Sequence, residues 1–318
     1  MKVRVLANAA LLAPALAAAQ AYPAKPIRLV VPYPAAGPVD ITARTLGPKL
    51  GEALGQTVVV DNRGGAGGVV GSEIVAKSAP DGYTLLICTT ANAINASLVN
   101  GLPYDMEKDF APVSLLAIIT SVVVVHPSLP IHSVRDLIAF AKAHPGQLSY
   151  ASTGNGTPTH LAAELFKSMT GTDLVHVPYK GASLAVVDLI SGQVQVSFIS
   201  APGVVPHLKA GRLRAIAVTN AKRSTLLPEL PTVAESGLPG YESEGWHGLF
   251  VPALTPQPVI ERLNREFVAA LHVPEISAQL LSGGAEPVGS SAGELGVKLR
   301  AEIARWAKVV KAAHMKAD

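Results

Sequence analysis

Four short segments carry the residue types that can hold a small anionic ligand: 34–40 (Pro-Ala-Ala-Gly-Pro-Val-Asp), 152–158 (Ser-Thr-Gly-Asn-Gly-Thr-Pro), 179–183 (Tyr-Lys-Gly-Ala-Ser) and 200–203 (Ser-Ala-Pro-Gly). Each follows a short apolar run and precedes a helical pattern. In open α/β sheets, ligands collect beyond the carboxyl ends of strands, where the first N–H groups of the next helix are unpaired and its dipole is positive. Ala35, Ala36, Gly37, Gly154 and Gly156 are small enough to let a ligand approach the backbone, while Thr153, Asn155, Thr157 and Ser200 supply neutral hydrogen-bonding groups. Thr157 reads as an N-cap with Pro158 at the first helical position. Tyr33, Asp40 and Tyr179 stand at the edges of these loops; each tyrosine either walls a cleft or packs at a lobe edge, and Lys180 reads as a solvated surface lysine. Any one loop is equally explained as an ordinary strand-to-helix turn, which needs glycine, proline and a cap. Four together favour a ligand cleft.

Other chemistries find little support. Gly64-Gly65-Ala66-Gly67-Gly68 invites a nucleotide reading, but no G-x-G-x-x-G register fits, because Val70 stands where the third glycine belongs, and no Walker lysine follows. The segment reads as a plain loop opening a helix. Nine histidines are scattered without H-E-x-x-H spacing, and the one cysteine, Cys88, joins no His/Cys cluster, so no metal site is expected. His160 reads as a structural residue near a helix N-terminus. No G-x-S-x-G elbow is present, which argues only weakly against an enzyme, since triads assemble from distant positions. Trp306, with Ile303 and Val310, reads as the core face of the last helix. Trp246 reads as core as well, or as a residue at a hinge or cleft.

The elements that would position these loops follow one grammar. Ile27-Arg28-Leu29-Val30-Val31 is a β-branched run closed by Pro32, followed by a helical pattern through Ile41, Leu46, Leu50 and Leu54. Val58-Val59-Val60, a helix near 69–78 and the strand 84–88 repeat it. After the apolar stretch 122–125, helices near 134–144, 159–170 and 182–190 alternate with strands at 148–151, 174–177, 194–199 and 215–218. Continuous apolar strands alternating with helices predict parallel α/β layers. Beyond a proline-rich, acidic exit at 228–239, two long helices are expected near 258–271 and 292–313.

The first residues carry Lys2 and Arg4, an apolar run and then Ala19-Gln20-Ala21, the order of a secretory signal cleaved after Ala21. The run contains Pro14 and falls short of the ~20 residues of a membrane anchor. That leader holds two of the 26 basic residues and no acidic ones, so the rest of the chain carries 24 against 23 and has no electrostatic footprint for nucleic acid or anionic membrane. A single cysteine rules out an internal disulfide, and stability must come from packed core. Mean hydropathy is high at +0.34, but the longest apolar stretch beyond the leader, 113–125, is broken by Ser114, Thr120 and Ser121 and stops at His126-Pro127, which suits buried strands.

The sequence resembles the substrate-binding receptors of tripartite tricarboxylate transporters, also called the Bug family. The marks are Pro26-Ile27-Arg28, Asp61-Asn62-Arg63-Gly64-Gly65-Ala66-Gly67-Gly68, Ala79-Pro80-Asp81-Gly82-Tyr83-Thr84, Pro145-Gly146, the run 154–161, the run 176–181 and Pro231-Thr232-Val233-Ala234-Glu235. The resemblance covers the chain beyond residue 21. It implies an α/β fold of two lobes, a periplasmic-binding-protein architecture of the Venus-flytrap kind (type II-like), with a ligand cleft between lobes: 22–122 with 240–318 as the first, 123–239 as the second. It also implies a periplasmic protein without cofactor, acting as a monomer, that holds a small carboxylate by backbone amides and ordered water at Tyr33 to Asp40 and Thr153 to Pro158 and delivers it to membrane subunits of the transporter. Two departures stand out. The family usually has Gly-Gly where this chain has Ala36-Gly37, and often Asp where it has Ser200. An amino acid would want that carboxylate opposite its ammonium, so the expected ligand is a dicarboxylate or an aromatic acid. The alternatives are a periplasmic hydrolase using the same cleft, or a binding partner of a membrane sensor.

Overall fold

The structure, a computed structural model, describes residues 22–313 and 315. The expected secretory signal lies outside the described residues. Two mixed sheets organise the chain, each with helices on both faces.

The first begins with β1 (Ile27–Val31), α1 (Pro38–Leu54) and β2 (Val58–Asn62), then α2 (Val69–Ala76), β3 (Thr84–Thr89) and α3 (Thr90–Leu98). Next, β4 (Phe110–Ile119) leaves this sheet, and after the single residue Thr120 the chain enters β5 (Ser121–Val125) of the second sheet. There α4 (Val134–Ala143), β6 (Ser149–Ser152), α5 (Pro158–Thr170), β7 (Val175–Pro178), α6 (Ala182–Ser191), β8 (Val196–Ser200), the short α7 (Val205–Lys209) and β9 (Arg214–Val218) follow. The chain returns through β10 (Gly245–Pro252) and ends with α8 (Gln257–Leu271), α9 (Pro274–Ser282), β11 (Ala285–Pro287) and α10 (Ala292–Ala312). Strand order is β11-β4-β10-β3-β1-β2 in the first sheet and β7-β6-β8-β5-β9 in the second.

Strict two-residue alternation splits every central strand between two cores. Ile27, Leu29 and Val31 of β1 pack toward α1 and α8, and Val30 packs with the cluster of α3 and α10. In β5, Val123 and Val125 face one cluster, Val122 and Val124 the other. Strands buried on both faces read as unbroken apolar runs, which is why the sequence announces them. Serine and glutamate fix helix ends: the Ser291 hydroxyl accepts from the Glu294 N–H while the Glu294 carboxylate accepts from the Ser291 N–H, the capping box that opens α10. Among the described residues no helix is long and apolar enough to cross a membrane.

The expectation of parallel layers is corrected. The pairs β1/β2, β1/β3, β6/β7 and β6/β8 are parallel, but β10 runs antiparallel to both β3 and β4, β11 antiparallel to β4, and β5 antiparallel to β8 and β9. The cause is the double crossing: β4 runs toward the second sheet and β10 comes back from it, so the two lie side by side in opposite directions. The α9–β11 unit is absent from the sequence-based prediction.

Candidate functional site

A cavity of about 560 Å³ lies where the two sheets meet. On the first side it is bounded by the β1–α1 loop. Ala36 there has φ 64°, the left-handed region that glycine occupies without strain, and Gly37 is the extended N-cap of α1. No side chain caps α1, Pro38 has no N–H, and Gly37, Pro38 and Val39 at the start of the helix line the cavity.

Asp40 does not line the cavity; it shapes the loop from behind. Its buried carboxylate accepts hydrogen bonds from the Ala36 N–H (2.8 Å), Arg44 Nε (2.9 Å) and Asn62 Nδ2 (2.9 Å), and the Asn62 amide also donates to the Tyr33 carbonyl (3.2 Å). Burial alone would raise the Asp40 pKa. The hydrogen bonds from Arg44, Ala36 and Asn62, with the Arg44 charge, outweigh it and hold the carboxyl below the usual range. The Tyr33 ring faces the cavity, and its hydroxyl is tied to Asn92 Oδ1 (3.2 Å) and Thr89 Oγ1 (3.0 Å) at the start of α3; burial keeps this phenol protonated.

From the second side comes the N-terminus of α5. Thr157 is its N-cap, but the Thr157 hydroxyl donates back to the Gly154 carbonyl (2.7 Å) and leaves the helix uncapped. Pro158 and Thr159 face the cavity. Thr159 Oγ1 accepts from the Thr153 N–H (2.9 Å), and the Gly156 N–H donates to His160 Nδ1 (3.1 Å), whose ring stacks on His176 at 3.8 Å between centroids.

Of the residues picked from sequence, Tyr33, Ala35, Ala36, Gly37 and Ser200 line the cavity. Asp40, Thr153, Gly154, Asn155, Gly156, Thr157 and Tyr179 do not. The second loop folds its polar groups on itself and presents the helix that follows, and the Tyr179 hydroxyl is drawn to Asp188 of α6 (2.7 Å). The lining residues that sequence reasoning missed come largely from the two hinge crossings: Ile119 and Ser121 flank the first, and Ser243, Glu244, Gly245 and His247 stand at the second beside Trp246, for which a hinge or cleft position was one of two readings. Topology was the available signal, since a chain passing twice between lobes runs along the cleft floor. Trp246 is fully buried and also lines the cavity, its Nε1 without a hydrogen-bond partner among the described residues; Trp306 is likewise buried at the cavity, with its Nε1 donating to Glu302 (2.7 Å). With Phe198 and Ala162 they make the walls apolar.

Among the described residues no lysine or arginine lines the cavity. Its one carboxylate, Glu244, is engaged by Lys298 Nζ at 2.6 Å, and burial lowers the His247 pKa to about 4, so that imidazole is neutral. The Thr42 hydroxyl donates to the Pro38 carbonyl (3.1 Å), so His247 Nδ1–H, 3.0 Å away, is the donor to Thr42. Among the described residues no group of three or more His, Cys, Asp or Glu is placed to hold a metal ion. What the site offers an anion is therefore two helix N-termini, hydroxyls and an apolar wall.

Two α/β lobes with such a cavity between them define a solute-binding protein. The chain belongs to the receptors of the tripartite tricarboxylate transporter family, whose model matches residues 42–315. It is similar to BugT of Bordetella pertussis, 40% identical over 308 residues that cover 96% of this chain and 94% of BugT. Among solved structures it is similar to R. palustris Rpa4515 with adipate (40% identity, TM-score 0.76, covering 93% of this chain and 99% of that one). It is also similar to MatC of Rhodopseudomonas palustris with bound malate (30% identity, TM-score 0.73, 91% and 100%).

Proposed function

We propose that the protein captures a small carboxylate lacking an amine, a dicarboxylate or an aromatic acid, in the periplasm and delivers it to the membrane subunits of a tripartite tricarboxylate-type transporter. In this reading it acts as a monomer, without a cofactor and not as an enzyme, with 22–122 and 240–318 as one jaw and 123–239 as the other. The observation that carries the reading is the meeting of two uncapped helix N-termini, one from each side, over an apolar cavity with no basic side chain. Such a site favours an anion through N–H groups and dipoles and leaves its body to the walls. Ser200 lines the cavity without supplying the charge an ammonium needs, and Glu244 is already paired with Lys298. The adipate and malate bound by relatives point to the same ligand class. Against a hydrolase stands His247, the cavity's imidazole, whose pKa burial lowers to about 4 and so makes it a weak general base.

The test is a thermal-shift screen of the mature protein against mono-, di- and tricarboxylates, aromatic acids, amino acids and sugars. At a concentration 100 times the dissociation constant a true ligand stabilises by about 2.7 kcal/mol. Shifts with sugars or amines alone would remove the carboxylate; shifts with acidic amino acids alone would remove the argument from Ser200.

A further inference from the structure

The α9–β11 edge of the first sheet makes two contacts with the second lobe, and neither belongs to the cavity. Glu286 of β11 gives its carboxylate to four neutral donors: Oε1 accepts from the hydroxyls of Thr120 and Ser224, and Oε2 from the Thr225 N–H (3.0 Å) and hydroxyl (2.7 Å). Thr120 is the one residue between β4 and β5, hence the first crossing itself. Ser224 and Thr225 lie just beyond β9, in the segment that leaves the second sheet, and the Ser224 oxygen accepts from the Leu226 N–H (3.0 Å) within that turn. The second contact is steric. Gly284, at φ 77°, packs so closely on Pro202 that a Cβ there would stand 2.0 Å from the proline Cγ, and Pro202 sits in the turn that follows Ser200 at the cavity.

A half-buried carboxylate that collects hydroxyls and an amide, with no basic partner among these contacts, strengthens each bond by its charge and ties together segments far apart in sequence. We infer that Glu286 is a positioning residue for ligand capture: it pins the Thr120 crossing and the Ser224–Thr225 turn of the second lobe to the edge of the first sheet, and so limits how far the jaws swing apart. This rests on the two-jawed binding reading. With the clamp lost, the ligand-free protein spends less of its time in the binding-competent geometry, and apparent affinity falls by that fraction.

The experiment compares wild type, Glu286→Ala and Ser224→Ala by small-angle X-ray scattering with and without adipate, and by binding kinetics with adipate. Glu286→Ala is expected to show a larger radius of gyration when ligand-free, to return to the wild-type value at saturating adipate, and to bind about tenfold more weakly through a slower association rate with unchanged dissociation. A folded Glu286→Ala with wild-type radius of gyration and association rate overturns the clamp. If that variant does not fold, Ser224→Ala, which removes one hydroxyl from the second-lobe side, carries the same comparison with a smaller expansion. If wild type does not bind adipate, the ligand-free scattering still decides the clamp, and the carboxylate reading is decided by the screen over the other acids.

Discussion

Placing a carboxylate at position 37 should move folding and binding in opposite directions. Gly37 has φ −79° and ψ 167°, which any residue adopts, and a Cβ there would meet only the Pro34 carbonyl at 3.4 Å, an ordinary contact. It is also the N-cap of a helix that no side chain caps, and Asp is a favoured N-cap residue. Gly37→Asp should therefore leave the ligand-free protein as stable as wild type or more stable by a few tenths of a kcal/mol, a melting shift of about 1 °C. The new carboxylate takes the N–H groups proposed for the ligand. A ligand that forfeits one charge-assisted hydrogen bond, about 1.5–3 kcal/mol, binds at least roughly tenfold more weakly. Repulsion between two carboxylates about 4 Å apart at an effective dielectric near 20, about 4 kcal/mol, weakens it further. Calorimetric titration with a ligand from the screen, beside a melt without it, reads both effects. Undiminished affinity would take the α1 terminus out of the site, and a melting point lowered by several degrees would refute the capping argument.

Asp40→Asn turns an amide NH2 toward donors that now meet a carboxylate, and should cost about 1–3 kcal/mol of stability together with ligand affinity. Because the folded pKa of Asp40 is depressed, its contribution is present above the unfolded value of 3.8 and is lost as pH falls through the folded one, so the gap between variant and wild type in urea midpoints should shrink below pH 3.8. Ala36→Gly relieves a left-handed alanine, worth roughly 1–2 kcal/mol, against about 0.4–1 kcal/mol of added freedom in the unfolded chain. Net stabilisation of up to about 1 kcal/mol in chemical denaturation is expected, and destabilisation would contradict the strain. His247 titrates near 6.5 unfolded and about 4 folded, so stability should be full above pH 6.5 and fall by on the order of 3 kcal/mol as pH drops to 4. A His247→Asn protein should show a shallower decline over that range, and identical slopes would show that this imidazole is not held neutral.

Much of the fold could be read from local pattern because burial on both faces leaves a direct mark: Val122 to Val125 is an unbroken apolar run, and Ile27 to Val31 is apolar but for Arg28. Strand direction leaves no such mark. Nothing within Gly245–Pro252 says that it runs against its neighbours; that follows from where the chain has been, a nonlocal fact. The three-residue β11, Ala-Glu-Pro, has a charged centre and a proline that predict an exposed turn, yet it pairs with β4 and carries Glu286. At the site, loop composition marks where a helix N-terminus meets a strand end but not which atoms turn outward. Asp40 and Thr157 have the chemistry of ligand contacts, and the structure uses them to hold the loops.

On the proposed reading, the absence of basic side chains from the cavity has a physical rationale. An arginine between apolar walls would need a counter-charge whenever the cleft is empty, because an unpaired buried ion is strongly unfavourable. Helix N-termini carry only partial charge and lose little when the ligand leaves. Since α1 belongs to the first sheet's lobe and α5 to the second's, one anion satisfies both only when the lobes approach, so binding and closure become the same event. Two carboxylates stand one step back, Asp40 behind the first loop and Glu286 at the crossing, each occupied with protein donors, while Glu244 at the cavity wall is paired with Lys298. These full charges are matched within the protein, which leaves partial charges to meet the anion. The arrangement lets the jaws hold an anion firmly enough to close on it while leaving no buried cation to hinder its release.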